Sequence, residues 1–246
     1  MILSGILLLI MVLLSGPLWI LISGQLDLKT HWSVASRESS GTAPSPDNFP
    51  EASVRVYYAR SFNWRGAFGV HSWLALKEKN GKSFQIFQVI GWRLFSSQSS
   101  VDVNWGDPAR YWYGEEPVLL GEITGVEAEQ AIPLIREAAE NYPFAWNYRV
   151  WPGPNSNTFI SHLMRSAGNL PFGLPPNAIG KDYPVDGALF AKTPSNTGWQ
   201  FSIYGVLGII FSSAEGIRLQ LLGLEFGWNP LRGECYWPGI GILSYY

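Results

Sequence analysis

The chain has little that could cross-link it, hold a metal or grip a polyanion. Its 246 residues include one cysteine, Cys235, which excludes an internal disulfide and any metal site built on cysteines. Only three histidines occur, His31, His71 and His162, and none sits in an H-E-x-x-H spacing. Zinc hydrolase chemistry is therefore not expected, and neither a metal nor another cofactor is called for. Charged side chains make up 15% of the sequence, with a formal net charge of −2 and no Lys/Arg cluster, so nucleic acid is excluded as a partner. No repeat of solenoid length is visible.

Apolar and aromatic residues are plentiful: hydrophobic content is 47%, with 12 Trp, 11 Tyr and 13 Phe. Such a composition implies a large apolar core, or surface that meets lipid or sugar. Residues Ile2 to Ser23 carry no charged side chain, and about 20 apolar residues suffice to cross a bilayer as a helix, with Pro17 tolerable inside it. Residues 1–24 are thus expected to be a transmembrane anchor or a signal. The anchor is preferred, because neither basic residues before the apolar stretch nor a small-residue cleavage site is evident. Lys29 and Arg37 follow the span, which by the charge rule alone favours a cytoplasmic body.

Residues 25–52 form a linker, Ser/Pro/Gly-rich from Ser36 to Glu51. A single α+β domain is expected over 53–246. Val54 to Ala59, Val70 to Lys77 and Ser83 to Gly91 read as strands, the last two joined by Asn80-Gly81, a strong hairpin signal. Ser96 to Glu116 reads as a long polar loop, and Pro117 to Ile123 as a short strand. A helix follows to about Asn141, opened by a Thr124/Glu127 capping box and kinked or delayed by Pro133. Leu170 to Lys192 is expected to wrap the surface. Phe201 to Phe211 and Ile217 to Trp228 are read as the two arms of an apolar C-terminal β-hairpin, which could lie against lipid.

The candidate chemistry lies at Trp151 to Leu163, where a Gly/Pro-rich approach delivers Asn155, Ser156 and Asn157 to the start of a helix, Thr158 to Arg165. A hydroxyl there is suited to a nucleophile and equally to a helix cap. As nucleophile Ser156 needs a base, for which His71 is the candidate, oriented by Gln88 or Gln85 on the partner strand. Asn155, Asn157, Trp73 and Trp151 are candidate substrate-binding residues. His162 is expected to pack or to face solvent.

A histidine on a strand, a polar residue on its hairpin partner and Asn155-Ser156-Asn157-Thr158-Phe159 opening a helix resemble the circularly permuted papain-like proteins, related to NlpC-type peptidases and lecithin:retinol acyltransferase-like enzymes. That resemblance implies an antiparallel sheet packed on helices, His71 as base, and Ser156 where those families have Cys. The departure matters, because Ser cannot form the thiolate–imidazolium pair on which a papain-like site relies. More closely, Asn63 to Trp73, Val89 to Trp92, Trp151 to Phe159, Leu174 to Asp182 and Leu222 to Gly227 resemble an uncharacterised family of bacterial membrane-anchored proteins, a domain of unknown function. The two resemblances imply an inner-membrane, single-pass protein with a periplasmic domain and membrane lipid as a partner. One expected function is a Ser/His hydrolase or acyltransferase acting on an envelope amide or ester, with an envelope peptide or lipid as substrate. The alternative is a non-catalytic ligand-binding or scaffold protein at the membrane.

Overall fold

The computed structural model describes residues 2–168 and 170–245. Its architecture is mixed, with helices and two antiparallel sheets behind an N-terminal apolar helix. The first sheet has the order β4-β3-β2-β1-β5, built from β1 (Ser53–Arg60), β2 (Val70–Lys77), β3 (Phe84–Val89), β4 (Val101–Gly106) and β5 (Val118–Thr124). Successive side chains along a strand point to opposite faces, and here both faces are covered. Val70, Leu74, Leu76, Phe87 and Val89 pack with helices α2 (Gly125–Glu140) and α3 (Ser156–Ser166). Tyr57, Ala59, Trp73, Ala75, Phe84 and Ile86 form a second cluster on the opposite face, with Ala109 and Trp112.

Several expectations are corrected. The polar loop after Ser96 contains β4, which pairs with β3 from Phe84↔Gly106 to Val89↔Val101. Its alternation of Asp and Asn with Val and Trp conceals a strand in which no residue is fully buried. Thr124 is the N-cap of α2 but makes no side-chain capping bond, and the helix runs through Pro133 without a later start. The linker does not hang free. Ser39 bridges Arg110, Ser40 N–H donates to Ala109 O at 2.8 Å, and the Arg37 guanidinium stacks 4.0 Å from the centre of the Tyr113 ring. The stretch after Leu170 lies at the surface in its second part, from Asp186 to Lys192, whereas Phe172 to Ala178 and Gly180 to Asp182 are buried between the two halves of the molecule.

The expected C-terminal hairpin is part of a seven-stranded antiparallel meander. It comprises β6 (Phe190–Lys192), β7 (Gly198–Ile203), β8 (Leu207–Ser212), β9 (Gly216–Leu221), β10 (Leu224–Asn229), β11 (Glu234–Trp237) and β12 (Gly241–Ser244). Each apolar run is itself two strands: Tyr204-Gly205 turns the first, and Leu222-Gly223 the second, all four residues at positive φ. Burial along this sheet is inverted. Gln200, Ser202, Arg218, Gln220, Glu225 and Asn229 are buried, while Trp199, Ile209, Phe211, Ile217, Leu219 and Trp228 are exposed.

Helix α1 (Ile2–Ile22) is long and apolar enough to span a membrane. Its C-terminal half is docked on the body through Leu13, Gly16, Pro17 and Ile20, a stripe at helical spacing. A Cβ added to Gly16 would lie 1.8 Å from Pro238 O, so a side chain there is excluded. The Trp237 indole N–H donates to Ser15 Oγ at 2.9 Å.

Candidate functional site

The start of α3 is fixed by the two asparagines flanking Ser156. Asn155 is the N-cap: its Oδ1 accepts from the N–H groups of Asn157 at 3.0 Å and Thr158 at 3.2 Å, and its own N–H donates to Thr158 Oγ1 at 3.1 Å, a reciprocal capping box. Its Nδ2 donates to Val150 O and Ile179 O, each at 3.0 Å. Gly180 is required beside it, since at φ +94 a Cβ would lie 2.4 Å from Asn155 Nδ2. Asn157 ties α3 to the sheet, accepting from Ser72 Oγ at 2.8 Å and donating to Val70 O at 3.0 Å and Ile179 O at 2.8 Å. Both carboxamides, read as candidate substrate contacts, are thus engaged in holding α3, β2 and the buried 174–182 segment together.

Ser156 is buried at the first helical position, and its hydroxyl makes no hydrogen bond among the described residues. It is neither the cap nor a partner of His71. Strand parity explains why: Ser72 reaches Asn157 on the helix-covered face, so its neighbour His71 points to the other face. There His71 stacks on Trp112 with ring centres 3.6 Å apart and planes 8° from parallel, and on Trp73 at 5.9 Å. The structure does not bring Ser156 and His71 together, because the sheet lies between them.

Of the two orienting candidates, the structure joins Gln88 to His71. His71 Nε2 lies 3.3 Å from Gln88 Oε1, which can only accept, so Nε2 carries the hydrogen. Gln88 Nε2 donates to Asp102 Oδ2 at 3.0 Å, and Arg93 Nη1 donates to Asp102 Oδ1 at 2.7 Å. Burial pushes the His71 imidazole down to about 4, with the Gln88 contact opposing, so the ring is neutral at pH 7. Gln85 has the opposite parity and accepts from Arg136 Nε of α2 at 3.0 Å, away from His71. Trp73 is a core residue stacked on Tyr57, its indole N–H donating to Pro108 O at 2.8 Å. Trp151 is half-exposed and donates to Leu222 O at 3.0 Å, closing the β9–β10 turn. His162 packs against Tyr142, with Nε2 3.2 Å from Ala138 O.

A cavity of about 410 Å³ lies elsewhere, where the first sheet meets β12 and the chain leaving α1. Gln25, Tyr58, Arg60, Glu115, Asn177 and Ile240 are among the residues that line it. Asn177 is buried, and its Oδ1 has no hydrogen-bond partner among the described residues. Arg60 donates to Gly66 O at 2.7 Å, Gly239 O at 3.0 Å and Ile240 O at 3.3 Å, which fixes its guanidinium at the cavity wall. Burial raises the Glu115 carboxyl above its ordinary range, opposed by Arg60. Asn177 lies in Leu174 to Asp182, one of the motifs that carry the family resemblance, but nothing local in the sequence marks it as cavity-lining. These residues, from five distant segments, meet there only through the fold.

Residues 51–183 match the DUF3750 family, described as a protein of unknown function. No curated protein and no solved structure matches the chain.

Proposed function

The chain belongs to the DUF3750 family, and from that premise we propose that it is a membrane-anchored, non-catalytic ligand-binding domain. The observation that carries this reading is the placement of His71 and Ser156 on opposite faces of one sheet. A hydroxyl needs a proton acceptor within hydrogen-bond reach to become a nucleophile, and here the imidazole is stacked under Trp112, out of that reach. A Ser/His hydrolase or acyltransferase acting on an envelope amide or ester would require both groups in one cleft, so geometry favours the binding reading. A permuted papain-like arrangement would make the same demand.

The ligand site in this proposal is the cavity beside Asn177. Its unpartnered buried carboxamide oxygen favours a small polar group carrying an N–H or O–H donor, since a buried acceptor left empty is costly. The anchor is α1, retained in the inner membrane, with the body in the periplasm. Fluorophosphonate labelling of the full-length chain in membranes tests the non-catalytic reading. Labelling is expected to be equal in wild type and Ser156→Ala; labelling that disappears in Ser156→Ala would restore the hydrolase. Native mass spectrometry from membrane-lipid nanodiscs tests the site, with a bound small molecule expected in wild type and lost in Asn177→Leu.

A further inference from the structure

A water-facing sheet turns its polar side chains outward and its apolar ones inward. The C-terminal sheet does the reverse. Register places Trp199 opposite Phe211, Ile209 opposite Leu219, and Phe211 opposite Ile217, which in turn lies opposite Trp228. Every outward position of β7 to β10 is Trp, Phe, Ile or Leu. Leu219, at the centre of this face, is 54% exposed and Phe211 is also 54% exposed. The inward positions hold a buried ionic group instead. Lys181 pairs with Asp182 and Glu225, and Arg218 Nη1 lies 3.3 Å from Glu225 Oε2. Contiguous exposed apolar surface on this scale marks a protein or membrane contact.

The docking of α1 says which. Residues 3–11 are exposed on all sides, and at about 1.5 Å rise per residue they supply roughly 14 Å of free helix. A bilayer's hydrocarbon layer is about 30 Å thick. A spanning α1 must therefore carry its docked half, with Trp237, Pro238 and Gly239 against it, into the apolar layer. Trp237 ends β11 on the outward face, where Cys235 lies opposite Trp228 and Leu243. The apolar face is thus continuous with the membrane helix.

We infer that the outward face of the seven-stranded sheet lies in lipid, seated in the leaflet crossed by the C-terminal half of α1. The domain is then held by two elements, a spanning helix and an immersed sheet face. This inference does not depend on whether Ser156 reacts or the cavity beside Asn177 is filled.

The native Cys235, exposed on that face, provides a probe without substitution. The full-length chain would carry a nitroxide there in phosphatidylethanolamine/phosphatidylglycerol vesicles. Leu219→Cys and Lys79→Cys, each with Cys235→Ser, serve as a second face position and an exposed control in the β2–β3 turn. Collision with lipid-soluble oxygen relative to a water-soluble nickel chelate should be several-fold higher at Cys235 and at position 219 than at position 79. A nickel-dominated ratio at either face position overturns the inference. So does dipolar broadening between labels that vanishes on dilution with unlabelled chain, which would assign the face to a second copy.

Discussion

At the scale of single residues, the asparagines of the Asn-Ser-Asn stretch are structural and the serine is nearly silent. Asn157→Ala removes three buried hydrogen bonds and strands Ser72 Oγ, so a loss of about 3 kcal/mol is expected. Ser156→Ala should change stability by less than about 0.5 kcal/mol, because no hydrogen bond is lost and Ala is the better helix former. Chemical denaturation of detergent-solubilised chains separates the two. His71 gives a pH dependence of known sign. Its folded value, about 4, lies below the ordinary 6.5, so the unfolded state binds more protons between them. The associated stability is present above pH 6.5 and lost as pH falls through 4. Between pH 7 and 5 the loss is about 2 kcal/mol, and His71→Gln should flatten that part of the profile. The sequence left Gln88 and Gln85 equally open as partners of His71; the structural register decides for Gln88, which shares the face of His71, while Gln85 faces α2. The separation from Ser156 was not legible, because both faces of β2 are apolar, with Val70, Leu74 and Leu76 on one and Trp73 and Ala75 beside His71 on the other.

At the scale of elements, local pattern succeeded for short runs of β-prone residues bounded by turn signals and failed where polar residues alternate with exposed apolar ones. β1, β2, β3 and β5 follow from alternation and from Asn80-Gly81. β4 was invisible because it is an edge strand with no fully buried residue, its Val103 and Trp105 exposed and its Asp102 paired. In the C-terminal runs, outward apolar residues alternate with inward Gly, Ser and Gln as well as with Ile210, so the two strands of each run blur into one. The cap of α3 belongs to Asn155, one residue before the hydroxyl that drew attention. Asn155→Ala should cost about 2 kcal/mol, more than the loss of an ordinary cap, because two further bonds to Val150 O and Ile179 O go with it. Asn155→Asp should retain the acceptor half of that network and lose the donor half, giving an intermediate thermal midpoint.

At the scale of the whole molecule, the chain's two ends are packed on each other: 222 residues separate Ser15 from Trp237, yet their side chains are hydrogen-bonded. Gly16→Leu places bulk where the Pro238 carbonyl sits and should lower the thermal midpoint in detergent, whereas Gly5→Leu, with nothing within 4 Å, should not. The docking of α1 also bears on biogenesis. The inward stripe of α1 is covered only once the β11–β12 hairpin has formed, with Trp237 lying 222 positions on from Ser15. Until then Gly16 and Pro17 lack the Trp237–Gly239 turn against which they pack. Proteolytic removal of the helix after folding would uncover the Pro238–Ile240 turn and the floor of the adjoining cavity. Helix α1 is long and apolar enough to span a membrane and is also part of the tertiary structure, its Ile20 packed with Leu26 and Ala67.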